Sequence, residues 1–202
     1  MTRRGEQVRL AALEPLFLKA GFVPARVGWE LERGDVRWGV FLSVLRKEGG
    51  YLYSVPVSAD FIPAGDLAPL IHPGINQFPG AAEEGYRIED YEDEDPLVVD
   101  VREVILPMIA QSRSATDVID AWLDGNLGSA HWSRAYRISH GWSLAKRYGF
   151  DDQGARAERI VAEGRWSAFD RADFKYNGMP VRGWSTERRG PTWFQRTIEA
   201  LG

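Results

Sequence analysis

The spacing of apolar residues predicts a helix at the start of the chain. From Glu6 to Ala20 apolar positions recur every three or four residues, as on one face of an amphipathic helix. Gly21 follows directly, where helices often end with a residue in the left-handed conformation. Pro15 lies within the pattern, and because proline lacks an N–H we expect either a kink or a helix that begins later.

The period then changes to two, which predicts β-strands. Alternating apolar and polar residues occupy three segments, residues 29–31, 36–44 and 51–57. The connections, Arg33-Gly34-Asp35 and residues 47–50, are short and polar, and strands joined so briefly must run antiparallel. The result is a meander. Residues 60–82 contain four prolines and are predicted to be a long loop, with a turn at His72.

Helical spacing returns at Leu97 and predominates from there to the C-terminus. One helix is predicted for 97–111 with Pro107 inside it, a short helix after Ser114, and a helical hairpin whose members end at Gly149 and Gly164. Asp151 is the candidate cap of the second hairpin helix. The predicted fold class is therefore α+β, with an N-terminal helix packed on an antiparallel β-meander and a mainly helical C-terminal half. Residues 1–125 form the α+β domain, and residues 126–202 form a helical region that is either separate or part of the same domain.

The composition is that of an ordinary globular protein. The chain has 202 residues, of which 44% are apolar and 27% charged. It contains no cysteine, which excludes a disulfide framework, a thiol nucleophile and a thiolate metal site. No run approaches the roughly 18 consecutive apolar residues of a membrane-spanning helix. We therefore expect a cytoplasmic protein without a membrane segment.

Charge is distributed unevenly along the chain. Residues 1–130 contain 12 Lys and Arg against 21 Asp and Glu, a net charge of −9. Residues 131–202 contain 13 against 8, a net charge of +5. Such a molecule is not expected to bind nucleic acid over its whole surface, although the basic C-terminal third offers a local face.

A run of acids is the strongest local charge feature, with six carboxylates in the seven positions from 89 to 95. Three interpretations are open: a solvated edge strand or loop, a surface for a basic protein partner, and a metal site. The run lacks the central glycine of an EF-hand and ends at Pro96, which weakens the metal interpretation. The residues predicted to bind a basic partner are Glu89, Asp90, Glu92, Asp93, Glu94 and Asp95.

No catalytic, cofactor-binding or metal-binding constellation is predicted. His131 and His140 are nine residues apart, about 180° out of phase on one helix, so they do not share a face. The segment around Ser143 resembles a hydrolase nucleophile elbow, but no histidine follows it. From Trp132 onward aromatic residues and arginines are interleaved, which fits core packing, nucleic-acid contact or a small-ligand pocket. The candidate ligand contacts are Arg137, His140 and Trp142.

The order of these pieces resembles a bacterial family catalogued as domain of unknown function 4304. The resemblance rests on the N-terminal helix ending at Gly21-Phe22, on the meander, and on Val104-Ile105-Leu106-Pro107-Met108-Ile109 followed by residues 114–123. It covers roughly the first 125 residues. What it implies is a fold, without an established reaction.

Three functional hypotheses follow. The first is a non-catalytic interaction module, immunity-like or regulatory, that binds a basic partner such as a nuclease toxin through its acidic surface. The second is a small-molecule-binding protein or an enzyme with a pocket between the sheet and the C-terminal helices. The third is nucleic-acid contact through the basic aromatic tail. The lack of a catalytic constellation favours the first hypothesis, and the sequence carries no indication of oligomeric state.

Overall fold

The computed structural model of the protein describes residues 2–47, 50–65, 69–75, 86–87, 95–124, 134–163, 175–176 and 179–180. These residues contain an N-terminal helix, an antiparallel sheet and several C-terminal helices, which confirms the predicted α+β fold class. The chain separates into two compact units, Met1–Ala115 and Thr116–Gly202. The predicted boundary, between residues 125 and 126, lies just after the helix with which the second unit begins.

Helix α1 spans Thr2–Lys19 and ends at the predicted glycine. Gly21 has a φ of 93°, a conformation that costs glycine little because it has no Cβ. Its N–H donates to the Leu18 carbonyl, and the Phe22 N–H donates to the Phe17 carbonyl, each at 3.0 Å. The rings of Phe17 and Phe22 meet edge to face with centroids 5.4 Å apart. The two bonds and the apolar contact together form a Schellman cap.

Pro15 lies inside α1, and the helix begins at Thr2, so of the two alternatives predicted, a kink or a later start, the later start is not observed. A proline in a helix interior costs about 3 kcal/mol. Burial offsets this cost, since Leu13 and Phe17 are fully buried and each such side chain contributes about 1.5–3 kcal/mol. The Phe17 ring stacks on Trp29 of the sheet with centroids 4.7 Å apart. Packing on the sheet therefore stabilises the helix despite its proline.

Two antiparallel sheets follow α1. The larger has the strand order β1-β2-β3-β6-β7 and the smaller the order β4-β5-β8, and their strand pairs are antiparallel as the meander predicts. The strands are β1 (Val23–Pro24), β2 (Trp29–Arg33), β3 (Val36–Val40), β4 (Ser43–Lys47), β5 (Gly50–Ser54), β6 (Val57–Phe61), β7 (Pro69–Ile75) and β8 (Tyr86–Arg87).

One bent hairpin supplies strands to both sheets. β3 pairs with β6 in the larger sheet and β4 pairs with β5 in the smaller one, in a single continuous register. The pairs nearest the corner are Val40–Val57 on one side and Ser43–Ser54 on the other. At the corner the Phe41 N–H donates to the Pro56 carbonyl over 3.3 Å. The alternating segments predicted as two strands are thus each divided in two by this corner.

Part of the segment predicted to be a loop, residues 60–82, is instead strand β7. Residues 69–75, which include Pro73 and the expected turn at His72, form an edge strand of the larger sheet. Its pairing with β6 shifts register between Val57 and Ala59 and again before Asp60. Prolines are tolerated in edge strands and at bulges because a missing N–H there breaks no bond to a second neighbour. A short 3-10 helix, Ile62–Ala64, connects β6 to the segment before β7.

The predicted helix at 97–111 is present but interrupted. Helix α2 (Pro96–Asp100) continues into a π-helical turn (Val101–Ile105) and then into α3 (Leu106–Gln111). In the π turn the Leu106 N–H donates to the Val101 carbonyl, one residue further back than in an α-helix. Pro107, which lacks an N–H, follows within the first turn of α3. The wider turn places the proline where no α-helical N–H is needed.

The second unit is helical. Its helices are α4 (Ala115–Asp124), α5 (Arg134–Tyr148) and α6 (Asp151–Ala162), with a short pair of strands, β9 (Lys175–Tyr176) and β10 (Met179–Pro180). α5 and α6 form the predicted hairpin, and α5 ends at Gly149, which has a φ of 76°. Asp151 is not the cap of α6, because Phe150 holds that position and Asp151 lies in the first turn. The predicted end at Gly164 lies outside the described residues.

Candidate functional site

A buried arginine joins several elements of the first unit. Arg9 of α1 is only 4% exposed. Its Nε donates to Asp95 Oδ2 over 2.7 Å and its Nη2 donates to Asp95 Oδ1 over 3.2 Å. This is a bidentate pair, in which two charge-assisted hydrogen bonds fix the plane of the guanidinium.

The same guanidinium contacts two further elements. Its Nη1 approaches the backbone carbonyl of Tyr86 in β8 at 3.5 Å. Its Cζ lies 4.4 Å from the ring centroid of Tyr53 in β5, a cation–π contact. Arg9 therefore joins the N-terminal helix, the smaller sheet and the residue that precedes α2.

Asp95 also begins the next helix. It is the N-cap of α2, and its Oδ1 accepts from the Leu97 N–H over 2.9 Å. Pro96 follows at the first helical position, where the missing N–H of proline costs no helix bond. The same carboxylate thus neutralises Arg9 and satisfies a helix terminus.

Tyr86 extends the contacts to a second carboxylate. Its hydroxyl donates to Asp100 Oδ2 over 2.5 Å, and both side chains are buried. Burial, reinforced by this hydrogen bond, raises the pKa of Tyr86 above its ordinary value. The phenol therefore keeps its proton at neutral pH and acts as a donor to Asp100. We name Arg9, Tyr86, Asp95 and Asp100 the Arg9 network.

The Arg9 network brackets the acidic run of the sequence. Tyr86 precedes it and Asp95 is its last member. Of the six residues predicted to bind a partner, Asp95 is the one placed by the structure, and it is already engaged by Arg9 and by the start of α2. Those that lie outside the described residues are Glu89, Asp90, Glu92, Asp93 and Glu94.

The predicted ligand contacts lie on α5 and are engaged by neighbouring helices. The His140 ring meets Trp122 of α4 edge to face, with centroids 4.7 Å apart. Trp142 packs against the core of the second unit and its Nε1 donates to Glu158 of α6 over 3.1 Å. Arg137 is half-buried on the same helix. His140 thus contacts α4, whereas Trp142 contacts α6.

Glu158 of α6 accepts hydrogen bonds from two side chains of α5. Besides Trp142, it pairs with Lys146 at 3.1 Å, and Lys146 lies 6.0 Å from the Trp142 ring centroid. The hydrogen bond from Trp142, followed by that from Lys146, lowers the pKa of Glu158. A carboxylate held in its charged form by two donors is suited to linking helices, not to accepting a proton near neutral pH.

The described residues support neither a serine nucleophile nor a metal site. The Ser143 hydroxyl donates to the Ser139 carbonyl one turn earlier, over 2.7 Å, so its proton is directed to the helix backbone. No group of three or more His, Asp or Glu side chains capable of holding a metal ion occurs in the described part of the chain.

None of the helices, in the ranges that the structure describes, has the length and hydrophobicity required to cross a membrane.

A cleft in the first unit was not foreseen from the sequence. It has a volume of about 350 Å³ and lies between the end of α1, strand β2 and the π turn with α3. Two arginines, Arg33 and Arg102, line it together with apolar side chains. The alternation of β2 places Leu31 and Arg33 on one face, but no sequence signal connects them to Arg102, 69 positions after Arg33.

Comparison of the chain with family models, with curated proteins and with solved structures finds no match.

Proposed function

We propose that this protein is a non-catalytic interaction module that binds a basic protein partner through the acidic segment between β8 and α2. The observation that supports the proposal is the position of Arg9. Its guanidinium contacts Tyr86, before the segment, and Asp95, at its end. A segment attached at both ends has less conformational entropy to lose on binding than a free tail of the same length.

The charge of the first unit supports the same conclusion. Met1–Ala115 contains 12 Lys and Arg and 18 Asp and Glu, a net charge of −6. Without the five acids from Glu89 to Glu94 the unit would carry 12 positive and 13 negative residues and be nearly neutral. The negative charge is therefore concentrated in one segment. Such a concentration attracts a partner of opposite charge and accelerates the encounter.

The class of partner follows from this charge. A basic protein complements the segment, and in an immunity-like role the module would cover the cationic surface of a toxin such as a nuclease. We propose a cytoplasmic location for this activity. Membership of the family catalogued as domain of unknown function 4304 stays a prediction.

The test compares two variants with the same change in charge. The segment variant carries Glu89→Gln, Asp90→Asn, Glu92→Gln and Asp93→Asn. The control variant neutralises four exposed acids elsewhere in the first unit, Glu14→Gln, Glu30→Gln, Glu32→Gln and Glu103→Gln. Both retain Asp95 and hence the contacts of Arg9. Partners are captured from the native host, purified, and titrated against all three proteins over a range of salt concentrations.

The segment variant is expected to bind the basic partner about tenfold more weakly or worse and to lose most of the salt dependence of its Kd. The control variant is expected to remain within about twofold of the unaltered protein, because scattered exposed charges contribute little. Equal losses in both variants would show that overall charge, and not the segment, governs binding. Unchanged affinity and salt dependence in the segment variant would refute the proposal.

A further inference from the structure

The cleft of the first unit has the composition of a site for a small amphipathic ligand. Its volume of about 350 Å³ falls at the lower end of the roughly 300–1,000 Å³ typical of ligand pockets. The walls are mostly apolar, and no carboxylate lines them. The lining residues used below are Phe22, Leu31, Arg33, Arg102, Leu106 and Ile109.

Arg33 is held at the cleft by the end of a helix. Its Nη1 donates to the carbonyls of Ile109 and Ala110, at 3.5 and 3.1 Å, in the last turn of α3. The negative end of the helix dipole thus stabilises the guanidinium without neutralising its charge. Its Nε and Nη2 make no hydrogen bond to any residue that the structure describes. Arg33 therefore has donor groups available for an anion.

Arg102 supplies the second cation from the π turn. Its side chain is 43% exposed and pairs with the adjacent Glu103, whose side chain is 61% exposed, at 3.0 Å. An exposed pair of this kind contributes little stability, and a guanidinium has five N–H donors, so Arg102 can accept a further carboxylate beside its present contacts. π turns occur frequently at functional sites, and here the turn and the following Pro107 both contribute to the wall of the cleft.

We propose that this cleft binds a small monocarboxylate with an apolar body. The carboxylate bonds to Arg33 and Arg102, because planar guanidinium groups match carboxylate geometry. The apolar body packs on Phe22, Leu31 and Ile109. None of the residues that line the cleft belongs to the acidic segment, and the cleft is proposed to bind an anion, so this inference does not depend on the proposed partner binding.

The test uses octanoate and 4-phenylbutyrate as probes, each paired with its neutral primary amide. Binding is followed by isothermal titration and by the shift of the Tm of the full chain. Arg102→Gln removes one cation at an exposed position, and Ala110→Trp fills the cleft from an exposed position of α3. Ala20→Trp fills it from the other wall, in case the first filling variant does not fold. Arg37→Gln, an exposed arginine of β3 that does not line the cleft, is the control.

At least one carboxylate is expected to bind saturably and about tenfold more tightly than its amide, since a charge-assisted hydrogen bond is lost in the amide. Arg102→Gln is expected to weaken binding about tenfold on the same grounds, a folded filling variant to abolish it, and Arg37→Gln to leave it unchanged. Equal affinity for acid and amide would overturn the assignment of the arginines. Binding that survives filling, or no saturable binding of either carboxylate at millimolar concentration, would overturn the site itself.

Discussion

Arg9 has an environment that is unusual for an arginine. An arginine near the N-terminus of a chain is ordinarily solvated, yet this one is 4% exposed. The contacts of the guanidinium with Asp95, with the Tyr86 carbonyl and with the Tyr53 ring offset the loss of hydration on burial. Buried ion pairs contribute modestly when intact, but the loss of one partner leaves an uncompensated charge.

We predict that Arg9→Met lowers the free energy of unfolding by about 3 kcal/mol, because Asp95 is left without its partner. Arg37→Met is the control. Its pair with Glu32 is exposed, so it should cost less than about 1 kcal/mol. Adding Asp95→Asn to Arg9→Met should recover part of the loss, since asparagine still caps a helix but carries no charge. Urea unfolding measures all four proteins. Similar costs for the two arginine variants would contradict the role assigned to Arg9.

A second prediction concerns Tyr86 and pH. The pKa of Tyr86 is raised in the folded state by burial first and by the hydrogen bond to Asp100 second. The stabilisation it confers is therefore complete below the unfolded pKa of about 10 and is lost as pH rises from there toward the folded pKa. Near neutral pH, Tyr86→Phe should reduce the free energy of unfolding by about 2 kcal/mol, because the buried Asp100 side chain loses the hydrogen bond from the Tyr86 hydroxyl.

Above pH of about 10 the difference between Tyr86→Phe and the unaltered protein should shrink, by at most about 1.4 kcal/mol per pH unit. The reason is that only the unaltered chain gains an ionised Tyr86 when it unfolds. Denaturant unfolding at intervals from near neutral to strongly alkaline pH measures this convergence. Parallel profiles for the two proteins would show that Tyr86 ionises equally in both states.

At the scale of elements, the sequence predicts those structures that obey a local rule. Val36, Trp38 and Val40 of β3 are buried in alternation, and Gly21 ends α1 as its position after the apolar pattern indicates. Strand β7 was missed because prolines argue against a strand, and that argument fails at a sheet edge. Which strand lies at the edge depends on pairing between distant segments, and such pairing has no local signature.

The Arg9 network and the cleft were not predicted either, because they too depend on contacts between distant segments. Arg9 meets Asp95 across a separation of 86 residues, and the cleft joins β2 to the π turn. Neither contact follows from periodicity or spacing. The acidic run itself was evident from composition, whereas the burial of the cation beside it was not.

The turn between β1 and β2 provides an element-scale prediction. Gly28 has a φ of 79°, and a Cβ built on it would lie 2.0 Å from the Val40 carbonyl oxygen. Gly65 has a similar φ of 86°, with nothing within 4 Å of such a Cβ. Gly65→Ala should therefore cost only the backbone strain, about 1–3 kcal/mol. Gly28→Ala should cost more than 3 kcal/mol, because β2 and β3 must also separate. Thermal unfolding of the two variants measures the difference, and equal costs would contradict the close approach.

At the scale of the whole molecule, the two units have separate stabilising contacts. The first unit contains the Arg9 network and the sheets. The second has a core of Leu123, Ile138, Ala157, Ile160 and Val161. In the second unit Arg156 of α6 pairs with Asp120 at 2.6 Å and with Asp124 at 2.5 Å, both on α4. In both units, therefore, an arginine joins elements that are distant in sequence.

We predict that perturbation stays within the unit that carries it. Arg156→Met should increase amide hydrogen exchange in α4 and α6, and Arg9→Met should increase it in α1, β5 and α2, because local opening follows local contacts. Hydrogen-exchange mass spectrometry of both variants measures this. Increased exchange spread over the whole chain in either variant would indicate that the two units open as one.

The bent hairpin makes a slip in strand register during folding affect both sheets. Side chains alternate along a strand, so a slip of one residue would move the buried side chains of β3 and β6 to the opposite face. The register runs unbroken past Phe41 and Pro56, and the same slip would pass into β4 and β5. A misaligned chain would therefore have the wrong pairing in both sheets at once. One register therefore serves the larger and the smaller sheet alike.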